Sequence, residues 1–427
     1  MSSGPQEPER LSREDAARWH MATPKNPMII GALLLFEQRL TLESLDELVV
    51  GKIIPHRRFR QHVVECKQLW GRPWWRDDAA FTLRDHVQKL SPSHVVNVDE
   101  LIRLANERMN APLPADRSPW RLELIDLAPT GSALLLRIHH CIADGRALVA
   151  LLNELADDLG KPEPGAARRP PSPSLARRRR FFGRVAGLLR FLSLSRDPVS
   201  LLRRSLGGHK RIAWSAAIPL DAVKSIAHAG GHQFVDVLLA AVAGALHRYQ
   251  REHGQLPRSM RALLPVAPPA SSTHGLGNHF ASVFVRLPVT SADPKTRLVI
   301  VARDMVALRS RSTLRMALSL VRLAGAIAPA IEHWAVRWWS RRASLVVSSL
   351  AGPTVPLHVA GRALRTIVVW APAAASIGLS LTFFGYAGNL HLGVLADEAV
   401  IERPEELVTA FQVALDDLRR SALPDNH

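Results

Sequence analysis

From Thr366 to Ala396 the chain carries no Asp, Glu, Lys or Arg. An uncharged run of this length could cross a bilayer as a helix. Its punctuation argues against that. The stretch "TIVVWAPAAASIGLSLTFFGYAGNLHLGVLA" is interrupted by Pro372 and by Gly378, Gly385, Gly388 and Gly393, and such residues break a continuous helix. The pieces between the breaks, "TIVVW", "GLSLTFF" and "LHLGVLA", are strand-sized and rich in Val, Ile and Phe. Apolar segments of this kind are expected as buried strands joined by turns.

At 427 residues the chain is too long for one ordinary core, so two domains of about 200 residues each are expected. Hydrophobic residues make up 47% and charged residues 22%, which suits a globular rather than a disordered chain. Cys66 and Cys141 are the only cysteines. Two cannot build a disulfide framework, which points to a reducing cytoplasm. The opening "MSSGPQEPERLSRED" has no apolar core, so no secretory signal is expected.

Strand-like and helix-like segments alternate along both halves, which makes the expected fold class α/β (α+β). In the first half, "MIIGALLLFE" (28–37) and "SALLLRI" (132–138) read as strands. "TLESLDELVVGKII" (41–54) and "ALVALLNELADDL" (147–159) repeat apolar residues at helical spacing. In the second half, "FVDVLLAAVAGALHRYQ" (234–250) reads as a helix. There "RALLPVAP" (261–268), "ASVFVRLP" (281–288) and "SLVVSSLAGP" (344–353) read as strands ending at proline turns. The expected domains are 1–160 and 209–427, joined by a linker and crossover over 161–208.

That crossover holds most of the charge. Of a formal net charge of +17, the segment Lys161–Arg211 contributes 14 Lys/Arg against two acids, a net of +12. Residues 160–180 are Pro-, Ala- and Arg-rich and read as a mobile linker. In "FFGRVAGLLRFL" (181–192), Phe181, Phe182, Val185, Leu188, Leu189 and Leu192 fall on one helical face, with Arg180, Arg184 and Arg190 outside it. A helix lying on an anionic lipid surface and a helix docked on its own protein share this pattern. Trp334, Trp338 and Trp339 with Arg337, Arg341 and Arg342 make a second patch, suited to a membrane, to CoA or to helix packing. No nucleic-acid recognition motif accompanies the charge, so no specific nucleic-acid partner is expected.

The segment carrying the most chemistry is "RIHHCIADGRALVALL" (137–152). In an extended chain His139 and His140 point to opposite faces, so one can line a cavity while the other packs behind. Asp144 is placed to cap a helix beginning at Gly145, whose apolar stripe is Leu148, Leu151, Leu152, Leu155 and Leu159. A metal site would need further ligands at suitable spacing, and none is evident, so no metal is expected. A Cys141 nucleophile is disfavoured, because a base adjacent in sequence is badly placed to reach its thiol. Two readings stay open on the residues alone: a general base taking a proton from a hydroxyl, and a structural histidine pair.

"HHCIADG" resembles the HHxxxDG motif of the bacterial wax ester synthase/diacylglycerol acyltransferase family, one branch of the HxxxD CoA-dependent acyltransferases. The likeness covers nearly the whole chain. "LSREDAARWHMATPKNPMIIGALLLFE" (11–37) resembles the family's opening, with its Asn-Pro-Met at Asn26, Pro27 and Met28. "HRRFRQHV" and "PWWRDDAAFTLRDHV" resemble the next segment. "FVDVLLAAVAGALHRY", "GNHFASVFVRLP", "LVVSSLAGPTVPLHVAGR" and "LSLTFFGYAGNLHLGVLAD" resemble successive blocks of the second half.

The resemblance implies two chloramphenicol-acetyltransferase-like domains with a channel between them, reached by acyl-CoA from one side and an acceptor alcohol from the other. It implies His140 as the base that deprotonates the acceptor for direct attack on the thioester, without an acyl-enzyme. His139, Asp144 and Gly145 would support it, the last by allowing close backbone approach. Substrate contacts would fall at Asn26, Pro27, Asp236, Gly277, Asn278, Gly352 and Pro353, several of which read locally as turn residues. Acyl-CoA is then a co-substrate, with no bound cofactor.

The expected product is triacylglycerol from diacylglycerol, wax ester from a long-chain alcohol, or both. A non-glyceride acceptor such as a polyketide, or a catalytically weak lipid-surface protein, are the alternatives. The expected location is the cytoplasm, peripherally on the inner membrane face or on lipid inclusions. One departure bears on catalysis: Val235-Asp236 stands where the family commonly has Asn-Asp, and valine offers no donor to an oxyanion.

Overall fold

The structure is a computed structural model. It describes residues 8–66, 71–90, 95–114, 116–157, 195–266, 276–278, 280–308 and 329–422. The linker expected over 160–180 and the amphipathic helix expected over 181–192 lie outside these residues.

The first half runs β1 (Glu9–Arg10), α1 (Arg13–His20), β2 (Ile29–Phe36), α2 (Leu42–Leu48), β3 (Gln61–Val64), β4 (Trp74–Asp77) and β5 (Val87–Leu90). It continues through α3 (Val98–Asn110), β6 (Trp120–Leu127), β7 (Gly131–His139) and α4 (Gly145–Leu155). The second half supplies β8 (Lys210–Trp214), β9 (Ile218–Pro219), β10 (Met260–Val266), β11 (Ala281–Leu287) and β12 (Leu345–Ala351). Its last strands are β13 (Leu357–Val359), β14 (Arg362–Trp370), β15 (Leu379–Tyr386) and β16 (Asn389–Asp397). The helices Leu220–Ala229, Phe234–Glu252, Pro294–Leu308 and Pro404–Ala422 accompany this half.

The uncharged stretch forms strands, as its punctuation predicts. β14, β15 and β16 come from it, and β15 and β16 are buried along almost their whole length. Pro372 and Gly378 fall in the connection between β14 and β15, and Gly388 takes φ 79° in the β15–β16 turn. Among the described residues no single helix is long and apolar enough to cross a membrane. The bent pair Leu220–Ala229 and Phe234–Glu252 passes by length and composition only, and the longer of the two is buried in the second core.

Two large mixed sheets result, in the orders β13-β14-β2-β7-β6-β5 and β11-β10-β12-β15-β16-β8. A mixed α/β fold was expected and is present. The domain boundary is another matter. The second half, expected as one unit over 209–427, gives β13 and β14 to the first sheet, where β14 pairs antiparallel with β2. Without them β2, "IIGALLLF", would present an apolar unpaired edge, which sheets avoid. A side chain also ties the two sheets together. The Tyr386 hydroxyl donates to the Leu364 carbonyl at 2.7 Å and accepts from the Leu357 N–H at 2.8 Å.

The sheets meet where β16 crosses β14. An ideal Cβ on Gly393 would lie 2.2 Å from the Val369 carbonyl oxygen, so only glycine permits this approach. Beside the crossing, Trp370 Nε1 donates to the Ala213 carbonyl at 3.1 Å. On the outer edge of β8, α3 stands in for a strand. Ile212 N–H donates to Asn106 Oδ1 at 2.8 Å and Lys210 N–H to Asn110 Oδ1.

Candidate active site

β7 delivers the two histidines to the end of the first sheet. The His139 N–H donates to the Pro119 carbonyl at 2.9 Å and the His140 N–H to the Met28 carbonyl at 2.8 Å, so extended pairing persists to the motif. The side chains part as the strand period predicts. His139 turns inward, accepts the Cys141 N–H at Nδ1 (3.2 Å) and lies 5.0 Å from the Trp19 ring. Burial, with the neighbouring His140, pushes its pKa down to about 3. It is a neutral packing residue.

His140 faces a cavity of about 530 Å³. Its pKa is pushed down to about 4, first by burial and then by the Arg18 guanidinium, with Asp144 partly opposing. The imidazole is therefore uncharged at neutral pH, the form a proton acceptor needs. Arg18 comes from α1 and is buried; its guanidinium stacks 4.3 Å from the Phe280 ring centre, and that ring lies 5.5 Å from His140. Nothing in the sequence pattern marked Arg18 or Phe280, because they meet His140 only across the fold.

Asp144 does structural work. Its Oδ1 accepts the N–H groups of Arg146 and Ala147, both at 3.0 Å, capping α4 at the residue the sequence indicated. Gly145 then lets the second half approach. An ideal Cβ there would lie 2.7 Å from Leu350 Cδ1 on β12.

Gly277 and Asn278 hold the motif loop from behind. The Gly277 carbonyl accepts the Asp144 N–H at 3.0 Å. Asn278 Nδ2 donates to the His140 carbonyl at 2.7 Å and to Asp15 Oδ1 at 2.8 Å, and its N–H reaches the same carboxylate at 3.1 Å. Burial raises the Asp15 pKa against these donors. Asn278 is thus a positioning residue between α1 and the His140 loop.

The other expected contacts do not face the cavity. Asn26 Nδ2 donates to the Ala375 and Ile377 carbonyls at 2.8 and 3.0 Å, with Pro27 half-buried beside it, so the pair pins the β14–β15 connection to the entry of β2. Asp236 is a helix cap, its Oδ2 accepting the Gln233 N–H at 3.0 Å. Val235 packs against the core of the second half and does not line the cavity. Gly352 bonds to the Gly385 carbonyl at 2.9 Å and the Pro353 carbonyl accepts the Ala387 N–H at 2.9 Å, ending β12. What β12 does present to the cavity is Ser348, Ser349, Leu350 and Ala351. The Ser348 hydroxyl donates to Thr382 Oγ1 at 3.2 Å. These serines were missed because the motif reading looked to the glycine after them.

Among the described residues no group of His, Cys, Asp and Glu is arranged to hold a metal ion. Cys141 is buried and its pKa is raised well above the usual thiol range by that burial, which removes it as a nucleophile.

Two interlocked α/β halves, with a neutral histidine of an HxxxD motif on an apolar cavity between sheet and helix, define an acyltransferase of the two-domain HxxxD class. Residues 11–229 match the wax ester synthase/diacylglycerol acyltransferase catalytic domain and residues 276–419 the WS/DGAT C-terminal domain. The chain belongs to the wax ester synthase/diacylglycerol acyltransferase family. It is 27% identical to a probable diacylglycerol O-acyltransferase (tgs1) of Mycobacterium tuberculosis, over 91% of this chain and 90% of that one. It is 21% identical to O-acyltransferase WSD of Acinetobacter baylyi, over 91% and 92%. Among solved structures, the wax ester synthase/diacylglycerol acyltransferase of Marinobacter aquaeolei VT8 superposes with a TM-score of 0.71 at 19% identity, covering 97% of this chain and 99% of that one. The first condensation domain of the calcium-dependent antibiotic synthetase gives 0.67 at 16% identity, over 99% and 97%.

Proposed function

We propose that this acyltransferase moves a fatty acyl group from acyl-CoA to the hydroxyl of diacylglycerol or a long-chain alcohol, forming neutral lipid. The observation that carries the reading is His140, uncharged and opening onto a large apolar cavity. The relatives named above as diacylglycerol O-acyltransferase and wax ester synthase support the acceptor classes.

In the proposed reaction His140 takes the acceptor hydroxyl proton as the oxygen attacks the thioester carbonyl. The tetrahedral intermediate collapses, the C–S bond breaks, and His140 returns the proton to the departing CoA thiolate. No acyl-enzyme is needed. Asp144 keeps the loop in place through its helix cap, and Asn278 holds the His140 carbonyl. Ser349 of β12, which lines the cavity, is the donor we assign to the oxyanion in place of a side chain at 235, because the Ser348 hydroxyl donates to Thr382. The apolar substrates and the basic segment 161–211 support a peripheral position at an anionic lipid surface.

The test is direct. Purified protein is given palmitoyl-CoA with diacylglycerol or hexadecanol, and neutral lipid and free thiol are quantified together. Stoichiometric ester and thiol are expected, and His140→Ala should abolish both. A His140→Ala enzyme of full activity would overturn the assignment of the base.

A further inference from the structure

The second sheet has two unlike faces. Leu345 and Val347 of β12 and Leu379, Leu381 and Phe383 of β15 share a core with the helices Phe234–Glu252, Pro294–Leu308 and Pro404–Ala422. Leu350 of β12 and Phe384 of β15 line the catalytic cavity. Alternate strand residues point to opposite faces, so the sheet stands between these helices and His140. A second cavity, of about 330 Å³, opens among the three helices. It is displaced along the strands as well. Phe280, just before β11, lines the catalytic cavity, and Ala292, beyond the other end of β11, lines this one. Phe280 to Leu287 alone spans about 23 Å at the strand rise.

This cavity is polar and basic. Gly244, His247, Arg248 and Arg251 recur along one face of the helix Phe234–Glu252, and Arg297 enters from the helix Pro294–Leu308. The three arginines face Glu252 and Asp417, an excess of one positive charge with His247 neutral. Sites for small molecules begin at about 300 Å³, so there is room for a small organic anion.

Arg297 is the group that most needs a partner. It is 3% exposed, and its Nη1 donates to the Ser291 and Ala292 carbonyls at 2.9 and 3.0 Å. Nε is fully enclosed, and neither it nor Nη2 makes a hydrogen bond among the described residues. The carboxylate of Asp417 is taken by Arg248 at 3.5 Å and Arg420 at 2.6 Å. Burial pushes the Arg297 pKa down, with Asp417 and Asp293 opposing and Arg248 adding to it. A buried cation with half of its fork unused is costly to fold around. The same planar fork suits an oxyanion. Gly244 makes the space for it: an ideal Cβ there would lie 2.8 Å from Arg297 Nη2. Two further groups are available. His247 gives Nδ1 to the Val289 carbonyl at 2.8 Å, which fixes the ring and leaves Nε2 as its other polar atom. Arg251 is exposed at the mouth.

We propose that this pocket is a second ligand site, which takes the phosphate group of a small phosphate ester with Arg297 as its buried anchor. A phosphate offers three terminal oxygens, enough for Arg297, His247 and Arg251 together, where a carboxylate has two. The site is separate from His140, and its test reads binding alone, so it stands or falls independently of the proposed reaction.

Soluble esters and lipid headgroups share this chemistry, and two arms tell them apart. Glycerol 3-phosphate is titrated calorimetrically into the full-length protein at low ionic strength. Flotation is measured with phosphatidylcholine vesicles, with and without phosphatidic acid. Arg251→Gln should weaken binding about ten-fold, the loss of one charge-assisted contact. Ala292→Glu sets a carboxylate at the mouth and should abolish binding, as should Arg297→Met. Ala292 is exposed, so its variant decides the matter if Arg297→Met fails to fold. Binding of glycerol 3-phosphate lost in these variants sustains the site with a soluble ester. Capture of phosphatidic acid vesicles alone, lost in the same variants, sustains it with a headgroup. No binding of either probe, or binding that folded Arg251→Gln and Ala292→Glu leave unchanged, overturns it.

Discussion

Replacing Arg18 by methionine should move the acid limb of the pH–rate profile upward. His140 sits at about 4 because burial and, after it, the Arg18 guanidinium disfavour the imidazolium. From an ordinary 6.5 down to about 4 is about 3 kcal/mol against protonation. At pH 5.5 a base with a pKa near 4 is about 97% neutral, whereas an ordinary histidine would be about 9% neutral, a ten-fold difference in competent enzyme. The sign is fixed: protonation removes the base, so activity falls as pH drops through the pKa of the free enzyme. Wild-type kcat/KM should therefore hold down to about pH 5. In Arg18→Met a like charge is gone and burial remains, so the limb should rise yet stay below 6.5. The assay is thiol release at limiting acyl-CoA from pH 4.5 to 8, with circular dichroism confirming the fold at each end. A wild-type limb at 6.5 would refute the buried, repelled imidazole. A limb that moves down in Arg18→Met would refute the repulsion.

Two further outcomes follow from contacts between the halves. Asn278→Ala deprives a buried carboxylate and the His140 carbonyl of their shared donor, a loss of about 1.5–3 kcal/mol for a bond to a charged group. The expected result is a fall of ten-fold or more in kcat with the fold retained, and an unchanged kcat would show that the loop holds His140 without Asn278. Gly393→Ala forces a Cβ to within 2.2 Å of the Val369 carbonyl oxygen, and overpacking of this kind costs about 1–3 kcal/mol. The urea midpoint should drop measurably, and an unmoved midpoint would mean that the sheets do not press together at β14 and β16.

What the sequence determined by itself is local. The glycines and Pro372 argued against a spanning helix, and Pro372, Gly378 and Gly388 fall between β14, β15 and β16, while Gly385 and Gly393 lie inside strands. Alternation at 139–140 sent one histidine to a cavity and the other behind it, and Asp144 capped α4 as its residue type predicts. The motif blocks, taken in order, pointed to the family.

Tertiary structure decided the rest. A strand buried on both faces reads the same whichever sheet it joins, so nothing in "TIVVW" said that β14 would complete the first sheet rather than the second. Nor could a turn-like Gly-Asn announce that Asn278 would bond to α1 and the His140 loop at once. The residues that set the charge state and surroundings of His140, Arg18 and Phe280, lie more than a hundred positions away and meet it only when the chain is folded. Desolvation and long-range pairing are properties of what surrounds a residue, and periodicity records only its neighbours along the chain.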